Sequence, residues 1–206
     1  MRLIYLSFIV VLLFSCKKGV SEFTIKGTIS DLTMSQGHSG ATVFLYEIEA
    51  GGGNTSLIGT TNANELGEYS FKFSRNKAES YIISVRKGGY FDIDKTVSFS
   101  ELSIKEDNVV HLSTTAKSWV KLRFINTNPS PTDHLRYLKQ KGKINCEECC
   151  SADEQNLIGN SDTTIYCIND GNATYSYNYW VLGTTISGSK SVTTNAFDTT
   201  ELLLNY

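Results

Sequence analysis

The sequence predicts an all-β protein of two tandem β-sandwiches. Three observations carry that expectation. The composition leans toward strand formers, with 11 Tyr and 10 Phe but only 2 Pro among 206 residues. Apolar and polar residues alternate with period two over many short stretches, the pattern of half-buried antiparallel strands. Gly and Asn interrupt these stretches at short intervals, as turns require. The length suits one large domain or two of about 90 residues, and the short polar stretch "STTAK", 113–117, makes a junction between two.

The N-terminus sets the compartment. "MRLIYLSFIVVLLFSCKKG" opens with Arg2 and continues as an apolar run over 3–14, interrupted by Tyr5 and Ser7. That is signal-peptide length and too short to span a bilayer. The run ends in "LFSC", 13–16, which resembles a bacterial lipobox: an aliphatic residue, a tolerant position, a small residue and then cysteine. The resemblance implies that residues 1–15 are a lipoprotein signal peptide and that Cys16 becomes the lipidated first residue of the mature chain. Residues 16–21 would then link the anchor to the fold. One acyl chain binds a membrane marginally, whereas two or more hold it stably. A formal net charge of −2 leaves no electrostatic footprint for nucleic acid.

The first half alternates in order along the chain. "FTIKGTI" sets Phe23, Ile25 and Ile29 against Thr24, Lys26 and Thr28. "ATVFLYE" sets Ala41, Val43 and Leu45 against Thr42, Phe44 and Tyr46. "EYSFKFS" puts Tyr69, Phe71 and Phe73 on one face, and "SYIISVRK" does the same for Tyr81, Ile83 and Val85. "EAGGGNTS", 49–56, reads as a connection; no GK[ST] follows it, so it is not a phosphate loop. Gly67 supplies the positive φ of a tight turn, Gly88 and Gly89 mark a bend, and "VVHL", 109–112, can close the sheet.

"GTISD", "GATVFLYE", "TTNANELGEYSFKF" and "YIISVRKGGYF" together resemble the carboxypeptidase regulatory-like domain, a transthyretin-like sandwich. Thr61, Asn62, Gly67, Tyr69 and Phe71 match its hairpin, with a longer interval between Asn62 and Gly67 than the usual pattern. Tyr81, Ile83, Val85, Gly89 and Tyr90 match its closing strand. The resemblance covers roughly residues 22–112 of the first expected domain, 22–115, and implies an accessory fold without catalytic residues.

The second half, 116–206, opens with "SWVKLRFIN", where Val120, Leu122 and Phe124 face one way. "NTNPSPTD" is a loop. "HLRYLKQKGK" fits either a short helix capped by Asp133, with Leu135 and Leu138 inward, or a strand with Leu135 and Tyr137 on one face. "DTTIYCIN" and "ATYSYNYWVLG" are strands joined through 169–172, where Asp170-Gly171 is the pair of a type I′ turn. "FDTTELLLNY" closes the chain as a strand. This half is expected to be an Ig-like or prealbumin-like sandwich. Junction and opening strand resemble two-domain lipoproteins of Gram-negative bacteria.

The envelope is oxidising, so the cysteines beyond Cys16 read as disulfides. Cys149 and Cys150 are adjacent and too close in Cα separation to pair. That leaves Cys146–Cys149 with Cys150–Cys167, or Cys146–Cys150 with Cys149–Cys167, and the first arrangement provides the preferred long link. A zinc site lacks a second ligand pair, and a redox CxxC lacks the α/β setting it needs.

No constellation indicates catalysis, a metal or a cofactor. His38, His111 and His134 lie at no ligand spacing and read as solvated or structural. Asp92 and Asp94 read as solvated loop charges rather than a calcium or acid–base pair. Tyr175, Tyr177 and Tyr179 share one face of a strand, with Trp180 on the other. The row reads as core, with a sugar-stacking platform as the alternative. The expected protein is therefore non-catalytic and lipid-anchored in the bacterial envelope, in the outer membrane, acting as a binding, adhesion or scaffold module. Its partners would be the membrane, through Cys16, and a protein or glycan. The alternatives are a carbohydrate-binding accessory lipoprotein and a peptidase- or hydrolase-associated factor.

Overall fold

The computed structural model describes residues 21–51, 53–146, 148–159 and 162–206. The expected signal peptide and lipidation site, Cys16, lie outside the described residues. Within them the fold is all-β, with four sheets stacked as two sandwiches, each around its own apolar cluster.

The first sandwich is built from β1 (Glu22–Asp31), β2 (Gln36–Gly37), β3 (Thr42–Glu49), β4 (Thr55–Asn62), β5 (Glu68–Ser74), β6 (Ala78–Arg86), β7 (Ile93–Ser98), β8 (Asn108–Val109) and β9 (Leu112–Thr114). One sheet centres on β1, with β5 and β2 antiparallel to it and β8 and β9 parallel to it. The other has the order β4-β3-β6-β7. The alternation read from the sequence is the alternation of burial: Ile25, Ile29, Ala41, Val43, Leu45, Tyr81 and Ile83 have no exposed surface. Phe23, Phe73 and Tyr81 meet edge-on or tilted at 5.0–6.2 Å between ring centres, a geometry worth about 0.5–1.5 kcal/mol per pair beyond simple burial.

Gly67 has φ +78°, as its place before β5 requires, and a Cβ there would lie 2.2 Å from the Ile29 carbonyl oxygen. Asp94 departs from expectation: it lies on β7, not in a loop, because the β6–β7 ladder extends the chain there. Arg86 grips it with two nitrogen–oxygen contacts of 2.7 and 2.9 Å and also reaches Asp92 at 3.2 Å. Partial burial pushes the Asp94 carboxyl up, but hydrogen bonds from Ser84 and Arg86 outweigh it and hold it below the ordinary carboxylate range.

The second sandwich comprises β10 (Lys117–Ile125), β11 (His134–Lys141), β12 (Gln155–Ile158), β13 (Thr163–Asp170), β14 (Thr174–Val181), β15 (Ser187–Thr193) and β16 (Thr199–Asn205). Its sheets run β13-β10-β16 and β12-β11-β14-β15. Of the two readings of "HLRYLKQKGK", the strand is the one adopted. Its ladder with β14 turns Leu135, Tyr137 and Lys139 inward, so Leu138 is not a core anchor. The Asp170-Gly171 turn is a correction. Asp170 ends β13, the turn is at Gly171 and Asn172, and only Asn172 has a positive φ, 56°, so it is not type I′. Gly171 serves close approach instead: a Cβ there would lie 2.7 Å from that of Ala196.

Candidate functional site

Tyr175 and Tyr177 lie inside the second core, 1% and 0% exposed, and Tyr179 packs against it. The platform alternative for this row is overturned. The β14 register with β11 and β15 turns the tyrosine face toward the opposing sheet and leaves Trp180 outward. Burial raises the Tyr177 hydroxyl well above its ordinary pKa, with neighbouring Tyr179 adding to the effect.

The cysteines pair as Cys146–Cys149 and Cys150–Cys167. Cys167 is fully buried on β13, and its partner belongs to the irregular segment between β11 and β12. A third tie comes from Lys139, which the sequence reading did not single out. Its amine donates to the carbonyls of Lys143 and Cys150, and burial lowers its pKa. A lysine at an inward strand position is the signal that points to it, because its charge must find carbonyls there.

The stapled segment reaches the joint between the sandwiches. Thr115 and Ala116 alone separate β9 from β10. Ala116 is fully buried; its amide donates to Thr33 Oγ1 at 2.9 Å, and its carbonyl accepts from Gly171 at 2.7 Å. Gly89 accepts from Lys117 at 2.7 Å, and Phe91 donates to Thr115 at 3.1 Å. From the stapled side, Lys143 Nζ sits 4.2 Å from the Phe91 ring centre and 2.7 Å from Asp170, whose carboxylate also accepts from the Thr115 hydroxyl. Glu148, between Cys146 and Cys150, pairs with Lys117 at 2.9 Å.

On the other side of the joint, Phe197 meets Tyr90 at 5.2 Å and leaves too little room for a Cβ at Gly89. Phe197 has φ +65°, a conformation a bulky side chain adopts only under constraint, at about 1–2 kcal/mol. Its amide N–H donates to the Lys117 carbonyl at 2.8 Å, which helps supply that constraint. Tyr90 in turn donates to Asp31 at 2.8 Å and lies 4.2 Å from the ring of His38. His38 is thus structural and 1% exposed. His111 and His134 remain on the surface or partly so, bonded to Thr28 and Asn156.

No family model matches the chain, and no curated protein matches it. Among solved structures it is similar to the Bacillus anthracis TIE protein, at 12% identity and TM-score 0.38 over 89% of this chain and 34% of that one. It is similar to a streptococcal ancillary pilin at 12% identity and TM-score 0.38, over 89% of this chain and 62% of that one. A third match is the shaft pilin SpaA from Lactobacillus rhamnosus GG, at 9% identity and TM-score 0.37, over 90% and 97%. The chain thus spans about a third and under two thirds of the first two proteins. At these scores the matches carry no inference about activity or partners.

Proposed function

We propose that the chain is a non-catalytic protein of the bacterial envelope, anchored in the outer membrane by lipid on Cys16, in which two sandwiches form one stiff binding, adhesion or scaffold module. The observation that carries this reading is the joint. Tandem domains joined by a loose linker move independently. Here backbone hydrogen bonds, the Tyr90–Phe197 contact and the Lys143 and Lys117 contacts with Phe91 run across a connection of two residues. Such a joint holds the second sandwich at a set orientation to the first, which follows the anchor in the chain. That is what a scaffold needs and what isolated catalysis does not.

Two measurements test the two parts. Cys16→Ser is expected to abolish lipid labelling and move the protein from the membrane to the soluble fraction. A variant that still takes up the lipid label, or a wild-type protein that takes up none, refutes the anchor. Small-angle scattering on the released Cys16→Ser protein is expected to fit one arrangement of the sandwiches, and a Gly-Ser insertion between Thr115 and Ala116 should broaden it. If wild-type and insertion profiles are alike, the joint is not stiff.

A further inference from the structure

The first sandwich carries an open groove of about 580 Å³ that involves none of the joint residues. It is lined by β1 and β5 of one sheet and by the end of β4 from the opposing sheet. Thr28 pairs with Glu68, and Lys26 lies between Ser70 on β5 and Val109 on β8. Asn62, at the end of β4, forms part of the wall. His111 completes it from the segment between β8 and β9.

The chemistry of this lining is specific. The Thr28 amide donates to His111 Nδ1 at 3.3 Å, so Nδ1 accepts and the proton of the neutral ring sits on Nε2. Nε2–H is then a donor held in place by the strand. Lys26 is already matched by Asp107 at 2.6 Å, and Glu68 already accepts from Asn64 at 2.8 Å. The groove therefore has polar groups of both kinds: Lys26 is matched by Asp107, while Glu68 keeps its carboxylate charge beside the neutral Asn64 amide. An anionic ligand would need unmatched positive charge. A metal would need a third ligand, and among the described residues no group of three His, Cys, Asp or Glu side chains could hold one.

Carboxylate, amide and hydroxyl groups together suit a neutral molecule with many hydroxyls, each of which both donates and accepts. Val109, 55% exposed, offers an apolar spot for the C–H face of a ring. The volume is within the range of small-molecule sites.

We propose that this groove binds a neutral saccharide, with Glu68, Asn62 and His111 as its main polar contacts. It deepens the reading of the chain as a binding module and rests on that reading. The sugar site thus falls on the first sandwich, on polar groups of β4, β5 and the β8–β9 segment, away from the buried tyrosines of the second.

The test uses the full chain in lauryldimethylamine oxide micelles, a detergent without sugar. It would be titrated calorimetrically with glucose, galactose, mannose, N-acetylglucosamine and the linear trisaccharides of glucose and N-acetylglucosamine. At least one is expected to bind, with Kd rising tenfold or more in Glu68→Gln and in His111→Ala. Ser70→Trp, an outward substitution that fills the groove, should abolish binding while the unfolding transition stays at its wild-type temperature. Acetate and inorganic phosphate should give no heat. The proposal is overturned if no saccharide in the panel binds, if Ser70→Trp binds as wild type does, or if the anions bind in their place. Failure here leaves the membrane release of Cys16→Ser untouched, so the site and the anchor are judged separately.

Discussion

Cys167 is where single-residue chemistry matters most for stability. It is buried on β13, an edge strand of its three-stranded sheet, and its disulfide to Cys150 closes a loop of 17 residues' separation. Constraining the unfolded chain over such a length is worth about 3 kcal/mol. Cys167→Ala is expected to lower the stability of the second sandwich by about 2–5 kcal/mol and leave the first unchanged. Chemical denaturation followed by hydrogen exchange in each half checks this; equal loss in both halves would refute it. His38 gives the molecule a pH dependence. Burial holds its imidazole below the ordinary value, Lys87 adds to the effect and Asp31 opposes it. The unfolded chain takes up a proton near pH 6.5 while the native state resists. Stability from this residue is therefore complete above about pH 6.5 and falls as the pH drops below that. The melting temperature of the first sandwich should decline between about pH 7 and pH 5, and His38→Gln should flatten that decline. An unchanged slope would assign the effect to other groups. The sequence placed His38 in a polar loop; its burial depends on Tyr90, 52 positions further on.

At the scale of elements, turns divide into those that need a backbone angle and those that need space. Gly40 and Gly67 both have positive φ, but a Cβ at Gly40 meets nothing within 4 Å, whereas at Gly67 it meets backbone of β1 and β2. Gly40→Ala should cost about 1–2 kcal/mol from conformation alone. Gly67→Ala should cost a further 1–3 kcal/mol or so from overpacking. Equal unfolding midpoints for the two variants would mean that the hairpin yields freely. The positive φ at Gly67 was legible in the sequence because the demand is local. The role of Gly171 was not, since its reason is Ala196, which arrives from a distant turn. The ambiguity at 134–141 has the same origin: both periods were present, and the ladder with β14 chose between them. β15, "SGSKSVT", has little apolar content and takes its extended form from pairing with β14.

The two cores are separate, while the joint between them is closed. Residues 22–115 contain a full set of strands and no cysteine. Expressed alone, they are expected to unfold cooperatively, with a midpoint that reductant does not change. A fragment that aggregates or melts without a transition would mean that the sandwiches fold only together. Tyr90 loses Phe197 in the fragment, so its midpoint should lie below that of the same sandwich in the whole chain. An equal midpoint would show that the joint orients the second sandwich without stabilising the first.

The sequence alone determined the all-β class, the inward faces of the long strands and the two disulfide pairings worth considering, because period-two burial and cysteine adjacency act over a few residues. Tertiary structure decided which pairing formed, that the Tyr175 row faces the core, that Asp94 belongs to a strand, and that Phe197, Tyr90 and Lys143 close the joint. Each of these depends on partners on other strands or loops, from 10 positions away for Asp94 and Ser84 to the other sandwich for Tyr90 and Phe197, whose approach is set by the packing of whole sheets and not by any local preference of the chain.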